Sequence, residues 1–475
     1  GWYSLLNVNQ ESILNNFNNC DRGISTYGLG TYPYIKFDIS SDNYTNCRAG
    51  IQATSTNINV LTSVINATTL TFGDRIGVLL RGCNFIVNSN NFTNIYMGIL
   101  SLDNDQFFGD IYRNTFGNND VGAVAGGDNF GVQMFCNDFN NYLDLGIGVV
   151  PWQNAGAVGI LDNQGVCDFN PTQNAFSPST QSNVDIYAGS STPSFEYRDF
   201  NIVGNIFVSP SVQLVDCLGP TVDRGEYCGL NNTKVAISEI SSLPSESEKN
   251  KAVAAWFRDY MSQGEITEAI GLLEAIPTKV TKRKLIPFKL EANDFTAVSQ
   301  LLSALPIESL EDQNFKAYYQ LLSNIKESNR DYFTNLTENE INTLTTIANS
   351  KTKTAFDAQT HLRIADLAYY PIDLPDLSSL PHNHSGKQPV ISSTTIARVS
   401  SNPIKDYGTI SYDLPTNETA ILHIFDITGK KIREEKIQNQ GIYTIGGEGF
   451  SNGLYIYTIS SNQQILHREK IIIAR

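Results

Sequence analysis

The sequence predicts three folds in series: a right-handed parallel β-helix, a set of α-helical hairpins, and a small antiparallel β-sandwich. Three observations carry this reading. A glycine-anchored motif recurs at steps of 21 to 27 residues through the first third. Apolar residues then switch to helical spacing beyond residue 245. Short alternating runs separated by turns fill the stretch from about Ser392 to the end. The expected boundaries are 1–235 for the β-helix, 246–370 for the hairpins, 371–394 for a linker and 395–475 for the sandwich.

The repeat is clearest in four segments. They are Asn-Asn-Phe-Asn-Asn-Cys-Asp-Arg-Gly-Ile to Ile24, Asp-Asn-Tyr-Thr-Asn-Cys-Arg-Ala-Gly-Ile to Ile51, Asn-Asn-Phe-Thr-Asn-Ile-Tyr-Met-Gly-Ile to Ile99, and Asn-Thr-Phe-Gly-Asn-Asn-Asp-Val-Gly-Ala to Ala123. Looser copies give anchor glycines at Gly23, Gly50, Gly77, Gly98, Gly122 and Gly146. A period this short excludes a βαβ unit and suits one coil of a parallel β-helix. Phe17, Tyr44, Phe92, Phe116 and Phe139 then form an internal stack. Two residues before each stands Asn15, Asp42, Asn90, Asn114 or Asn137, whose side chains can bond turn backbone and the next coil. The anchor glycine is expected to supply a positive φ at a turn. Gly204-Asn205-Ile206-Phe207 suggests that stacking continues towards residue 208. No cap over the first coil is evident, so further coils are expected to precede Gly1.

All seven cysteines lie in the first half, and no pair has C-x-x-C spacing. That spacing argues against a zinc or redox site. Cys20 and Cys47 share a register and are expected to be neighbours on adjacent coils. Cys217 and Cys228 flank a Gly/Pro-containing turn and could close a disulfide loop.

Beyond residue 245, two segments match at a step of 29, one ending at Pro277 and the other at Pro306. Gly264 and Asn293 stand at the turn of each hairpin, where left-handed φ is wanted. The prolines stop the second helix. Further helices are expected through Asn314–Asn329 and Glu338–Ala368. The hairpins resemble tetratricopeptide-type pairs, and a packing or spacer role is favoured over a peptide groove. Residues 371–394 are rich in Pro and Ser and read as a linker. His382 and His384 lie inside it and are read as incidental rather than metal-ligating.

The tail contains four motifs in order: Ser401-Asn402-Pro403, Ile424-Phe425-Asp426-Ile427-Thr428-Gly429-Lys430, Gly453-Leu454-Tyr455-Ile456-Tyr457, and Lys470-Ile471-Ile472-Ile473. Together they resemble the type A C-terminal sorting domain of the type IX secretion system of Bacteroidota. Ser401 departs from the family's opening proline. The resemblance implies export through the periplasm, with the tail read by an outer-membrane translocon barrel and its shuttle protein. It implies release or attachment at the cell surface, with surface polysaccharide or lipopolysaccharide as a possible contact. The residues it marks as sorting signal are Asn402, Pro403, Asp426, Gly429, Lys430, Gly453, Leu454, Tyr455, Lys470, Ile471 and Ile472.

Composition narrows the function further. The formal net charge is −15, which repels phosphate backbones and argues against nucleic-acid binding. No apolar run approaches the length of a membrane span. The opening Gly-Trp-Tyr-Ser-Leu-Leu is not a signal peptide. None of the five histidines lies in the β-helix, and Lys36 is the only lysine before Lys234. That removes the easiest general bases. Candidates for chemistry are Arg22, Arg48, Arg75, Arg81 and Arg113, and the carboxylate pairs Asp103 with Asp105 and Asp162 with Asp168. No cofactor is expected; calcium in an Asp-rich turn is a weak option, because the full loop motif is missing. The reading is a non-enzymatic adhesive or carbohydrate-contacting scaffold. The alternative is a secreted β-helix polysaccharide lyase or glycoside hydrolase.

Overall fold

A computed structural model describes residues 10–20, 22–28, 36–67, 75–104, 109–129, 131–152, 160–165, 171–177, 184–189, 192–199, 206–217, 228, 235–368, 370, 397–400, 404, 408–414, 419–426, 430–445, 450–461 and 464–473. The chain forms two compact units, Gly1–Pro389 and Val390–Arg475. The first unit begins with a parallel β-solenoid of three sheets. Its first sheet stacks six strands, from Gln10–Ile13 to Val132–Phe135. The second stacks seven, from Asn16–Asn18 to Ala175–Ser177, and the third seven, from Arg22–Tyr27 to Val184–Ala188.

The expected aromatic stack runs along the second sheet. Phe17 lies on Tyr44 at 4.9 Å between ring centroids, Phe92 on Phe116 at 5.0 Å, and Phe116 on Phe139 at 4.8 Å. Phe176 extends the row at 5.1 Å from Phe139. Ile65 occupies the register between Tyr44 and Phe92. It carries no ring, which hides that coil from an aromatic pattern. Parallel rings at this spacing bury large apolar areas and gain dispersion contacts.

Beside the rings runs a ladder of buried amides. Asn90 Oδ1 accepts from the Ser63 amide at 2.8 Å, Asn114 Oδ1 from the Asn90 amide at 3.0 Å, and Asn137 Oδ1 from the Asn114 amide at 3.0 Å. Asn174 continues it, accepting from the Asn137 amide at 2.9 Å. Each Nδ2 also donates to a carbonyl in the preceding coil, as Asn114 does to Val87 at 2.8 Å. Every corner thus satisfies backbone groups that the strand ladder cannot reach.

The anchor glycines do a different task from the one expected. Gly23, Gly50, Gly77, Gly98, Gly122 and Gly146 lie inside or beside strands of the third sheet and have no positive φ. A Cβ on Gly98 would sit 2.5 Å from both Phe116 Cδ1 and the Gly122 carbonyl oxygen. The glycine therefore makes room for the ring of the next coil. The left-handed corner falls earlier, at Asn19, Asn46, Asn94, Asn118 and Asn141, with φ of 53° to 57°. Asparagine tolerates that region at low steric cost.

In the third sheet, the strands from Ala49–Thr54 to Leu145–Val150 are buried at every position. One face lines the solenoid core, as with Ile51, Val78, Ile99, Ala123 and Ile147. The helical region lies against the solenoid outside that core. Its helices are Ile237–Ile240, Glu246–Gln263, Ile266–Ala275, Lys279–Glu291, Phe295–Ala304, Leu310–Glu327, Glu338–Ala348 and Thr354–Ile364. Ser245, Thr278, Asp294, Ser309 and Thr337 cap their N-termini through side-chain oxygens. Gly264 and Asn293 adopt φ of 78° and 59° between consecutive helices. Phe356 stacks on Trp152 at 5.5 Å and lies under Arg81 at 4.6 Å. Ion pairs Arg258–Asp110 at 2.8 Å, Lys251–Asp162 at 3.1 Å and Lys353–Asp128 at 2.6 Å tie helices to coils.

Two disulfides are fully described. Cys20 bonds Cys47, neighbours on adjacent coils with Cα atoms 4.6 Å apart. Cys136 bonds Cys228, closing 92 residues. The expected Cys217–Cys228 loop is therefore not formed. Cys217 is held at the end of a strand pair, where its amide donates to Asp199 O at 2.8 Å, and it is disulfide-bonded elsewhere. Residue 228 instead lies at the corner that holds Cys136. Closeness in sequence loses to the coil register.

The second unit is a sandwich of two antiparallel sheets. Ala397–Ser400, Gly408–Asp413 and Gln440–Ile445 form one. Lys431–Gln438, Thr419–Asp426, Gly453–Ser461 and Gln464–Ile473 form the other. Ile410, Ile445, Leu422, Ile424, Tyr457, Ile459 and Ile471 fill the space between them. The linker 371–394, with His382 and His384, lies outside the described residues.

Candidate functional site

Where the third sheet turns back into the first, the solenoid corners face the helical layer across a cavity of about 480 Å³. Asp103, Asn104 and Asp128 line it from the coils, and Arg283, Lys284, Tyr319 and Lys353 from the helices. Asp103 takes a left-handed corner position, φ 47°, and only 1% of it is exposed. Its Oδ1 accepts from the Asp128 amide at 2.7 Å. Its Oδ2 has no hydrogen-bond partner among the described residues. Burial raises its pKa above the ordinary carboxyl range, and the Lys353 ammonium opposes that rise. Burial also lowers Lys353, and it pulls Lys284 down to about 8.

Arg283 bridges the helices. It donates to Glu311 at 3.1 Å and Asp312 at 2.7 Å, and its guanidinium lies 4.3 Å over the Phe315 ring. Arg283 Nε has no partner among the described residues. Cys83 on the cavity wall is a reduced, buried thiol, pushed up to about 11 by burial. A high pKa makes it a poor nucleophile.

The other sequence candidates scatter. Arg81 is buried beneath the helical layer, Arg113 lies over Tyr112 at 5.7 Å, and Arg75 donates to Asn46 at 3.3 Å. Arg22 pairs with Ala49, whereas Arg48 stands one place before that strand, so the two do not share a row. Asp162 accepts from Ser247 at 2.6 Å beside its pair with Lys251. Asp105 and Asp168 lie outside the described residues. Sequence reasoning missed Lys284, Arg283 and Lys353, because nothing local places a helix against Asp103.

The tail motifs converge on the four-stranded sheet. Asp426 ends its strand, and its Oδ1 accepts from the Lys430 amide at 3.0 Å, closing the turn into the next strand. Tyr455 is buried, and its hydroxyl exchanges hydrogen bonds with the Ser451 amide and carbonyl, both at 3.0 Å. Leu454 pairs with Ile472, and Ile456 with Lys470, along the last hairpin. Residues 401–474 match the family described as the secretion system C-terminal sorting domain. The tail is a C-terminal sorting domain. The chain that carries it is therefore a type IX secreted cargo protein with a β-helix, bound for the cell surface or the extracellular space.

Gly453, Leu454, Tyr455, Lys470, Ile471 and Ile472 sit on the last two strands of the sorting domain, and Asp426 and Lys430 at the turn. Asn402, Pro403 and Gly429 lie outside the described residues. Among the described residues, no helix is long and apolar enough to cross a membrane. No curated protein matches the chain. One solved structure, Pseudomonas fluorescens alkylpurine DNA glycosylase AlkC bound to DNA containing an abasic site analog, aligns at 11% identity. It covers 50% of this chain and 76% of that chain, at a TM-score of 0.15, and so carries no argument.

Proposed function

We propose that the exported chain displays its solenoid and helical layer as a rigid, carbohydrate-contacting adhesive scaffold. The observation that supports this reading is the exterior of the first and second sheets. It is lined by amides linked from coil to coil: Asn43 donates to Asn16 at 3.1 Å and Asn59 to Asp38 at 2.8 Å. Such rows repeat donors and acceptors at the strand spacing, about 4.8 Å. They suit ligands that repeat hydroxyl groups along a chain. The third sheet, covered by helices, stiffens the body from behind. The translocon barrel and its shuttle take the chain across the outer membrane by reading the tail, and surface lipopolysaccharide is a candidate anchor.

Binding to polysaccharide arrays and to purified surface polysaccharide tests the scaffold reading. Retention that weakens when Asn43 and Asn59 are both changed to Ala is expected. Turnover of any bound polysaccharide would replace the scaffold by an enzyme.

A further inference from the structure

We infer that the outward face of the four-stranded sheet in the sorting domain is the surface on which the secretion machinery docks, and that the docking protein presents an apolar patch rimmed by acidic groups. The inference rests on the reading that the tail carries the chain across the outer membrane, and it narrows that reading from a domain to a face.

The strands of this sheet alternate. Tyr455, Tyr457 and Ile459 on Gly453–Ser461, and Leu422 and Ile424 on Thr419–Asp426, are buried inside the sandwich. The residues between them stand on the opposite side. There Leu454 and Ile472 pair across the last hairpin, 38% and 44% exposed. Ile456 follows Leu454 on the same side and pairs with Phe425 of the neighbouring strand. Ile421, 39% exposed, lies further along that strand beyond His423. Apolar side chains thus run side by side across three strands in water, which marks an interaction surface rather than scattered exposure. The sorting motifs split along the same alternation. Tyr455 and Ile471 serve the core, whereas Leu454, Lys470 and Ile472 stand outside it, where the packing of the sandwich does not call for an apolar residue.

Charge selects the partner. Lys436 stands opposite Ile421, Lys431 opposite Phe425 and Lys470 opposite Ile456. Glu434, opposite His423, is held by Lys431 and, at 3.3 Å, by His423. The described residues of this face therefore carry three lysines against one glutamate, on a chain whose net charge is −15. An apolar surface with acidic groups at its rim complements that arrangement, and the opposite signs speed the encounter. A lipid surface fits less well. Among the described residues the row is built from Ile, Leu and Phe, without the Trp and Tyr that anchor at headgroups, and the acidic chain is repelled by anionic leaflets. A second copy laid face to face would set lysine against lysine.

The experiment is secretion of the full chain from a bacterium with a working type IX system, with surface and periplasmic fractions quantified. Leu454→Thr with Ile472→Thr removes the apolar pair, and threonine suits an exposed strand position, so the fold is kept. Lys436→Glu with Lys470→Glu reverses the rim. Leu367→Thr, at an apolar residue 47% exposed outside the sorting domain, is the control. Near-ultraviolet circular dichroism of the purified variants checks the fold. Independently of that check, a benzophenone photocrosslinker in place of Leu454 in the full chain captures the partner, identified by mass spectrometry. Both double variants are expected to lower surface export by about tenfold or more and to collect folded in the periplasm, while the control is exported like the parent chain. The crosslinker is expected to join the chain to the translocon barrel or its shuttle. Parent-like export of both double variants, with the chain lacking 401–474 still stranded, would overturn the face and leave the sorting reading standing. Export of the tail-deleted chain as well would remove both. Crosslinks to lipopolysaccharide alone, or to a second copy alone, would overturn the partner.

Discussion

Changing Asn114 to Ala strikes the amide ladder at its centre. The substitution removes the acceptor shared by the Asn90 amide and Asn90 Nδ2, both at 3.0 Å. It also removes the donor to the Val87 carbonyl at 2.8 Å. Asn114 is fully buried. A buried polar group left without a partner costs roughly 1–3 kcal/mol; the Asn90 amide and the Val87 carbonyl lose theirs, while Asn90 Nδ2 keeps the Val60 carbonyl at 2.9 Å. Two such groups put the total at about 2–6 kcal/mol, and shared relaxation draws it towards the lower half. Asn114→Asp is a sharper probe. Asp42 holds the equivalent corner because Ser12 and Tyr44 hydroxyls donate to its Oδ2, at 2.5 and 3.2 Å. At 114 the same oxygen would face the Val87 carbonyl, so the aspartate should cost most at neutral pH and less as it protonates. Guanidinium titration followed by far-ultraviolet circular dichroism reads the loss, and hydrogen exchange at the Asn90 amide localises it. Asn43→Ala, at an exposed strand rung with Asn16 and without a positive φ, is the control and should stay within about 0.5 kcal/mol. A folded Asn114→Ala chain that loses under about 1 kcal/mol would refute the ladder as a source of stability.

Further outcomes follow from the same geometry. Phe116 is fully buried between Phe92 and Phe139, so Phe116→Ala should cost about 3–5 kcal/mol; parent-like denaturation would mean that the stack adds little. His361 is buried with Nε2 against the Tyr332 carbonyl at 2.6 Å, and burial holds it neutral down to about 4, against an ordinary 6.5. The unfolded chain therefore takes up a proton first, and stability falls by up to about 3 kcal/mol between pH 6.5 and 4, then levels off. His361→Phe should flatten that pH dependence, and an unchanged slope would point to other groups. Alkylation under native-like oxidation after unfolding should label Cys83 but not Cys20, Cys47, Cys136, Cys217 or Cys228; peptide mass spectrometry decides, and a labelled Cys228 would break the assignment to Cys136. Deleting residues 401–474 should strand the cargo in the periplasm on cell fractionation, and normal export of the truncated chain would contradict the role of the tail.

The sequence alone determined whatever is written at short range or in a repeat. The spacing of Phe92, Phe116 and Phe139 marks coils because each coil must present the same side chain to the same core position. Gly264 and Asn293 mark helix turns because few residues adopt positive φ. Asp426 and Tyr455 mark the sorting domain because they close its turns with their own side chains. Tertiary structure decided the rest. The role of Gly98 depends on where the Phe116 ring of the next coil lies, which no local pattern states. The partner of Cys228 was fixed by a corner 92 residues away. Asp103 reads as one more turn carboxylate until Lys353, 250 positions later, is packed against the same corner. Charge, burial and an unused oxygen meet there only because a helical layer folds back on the solenoid, and long-range packing of that kind leaves no periodic trace in the chain.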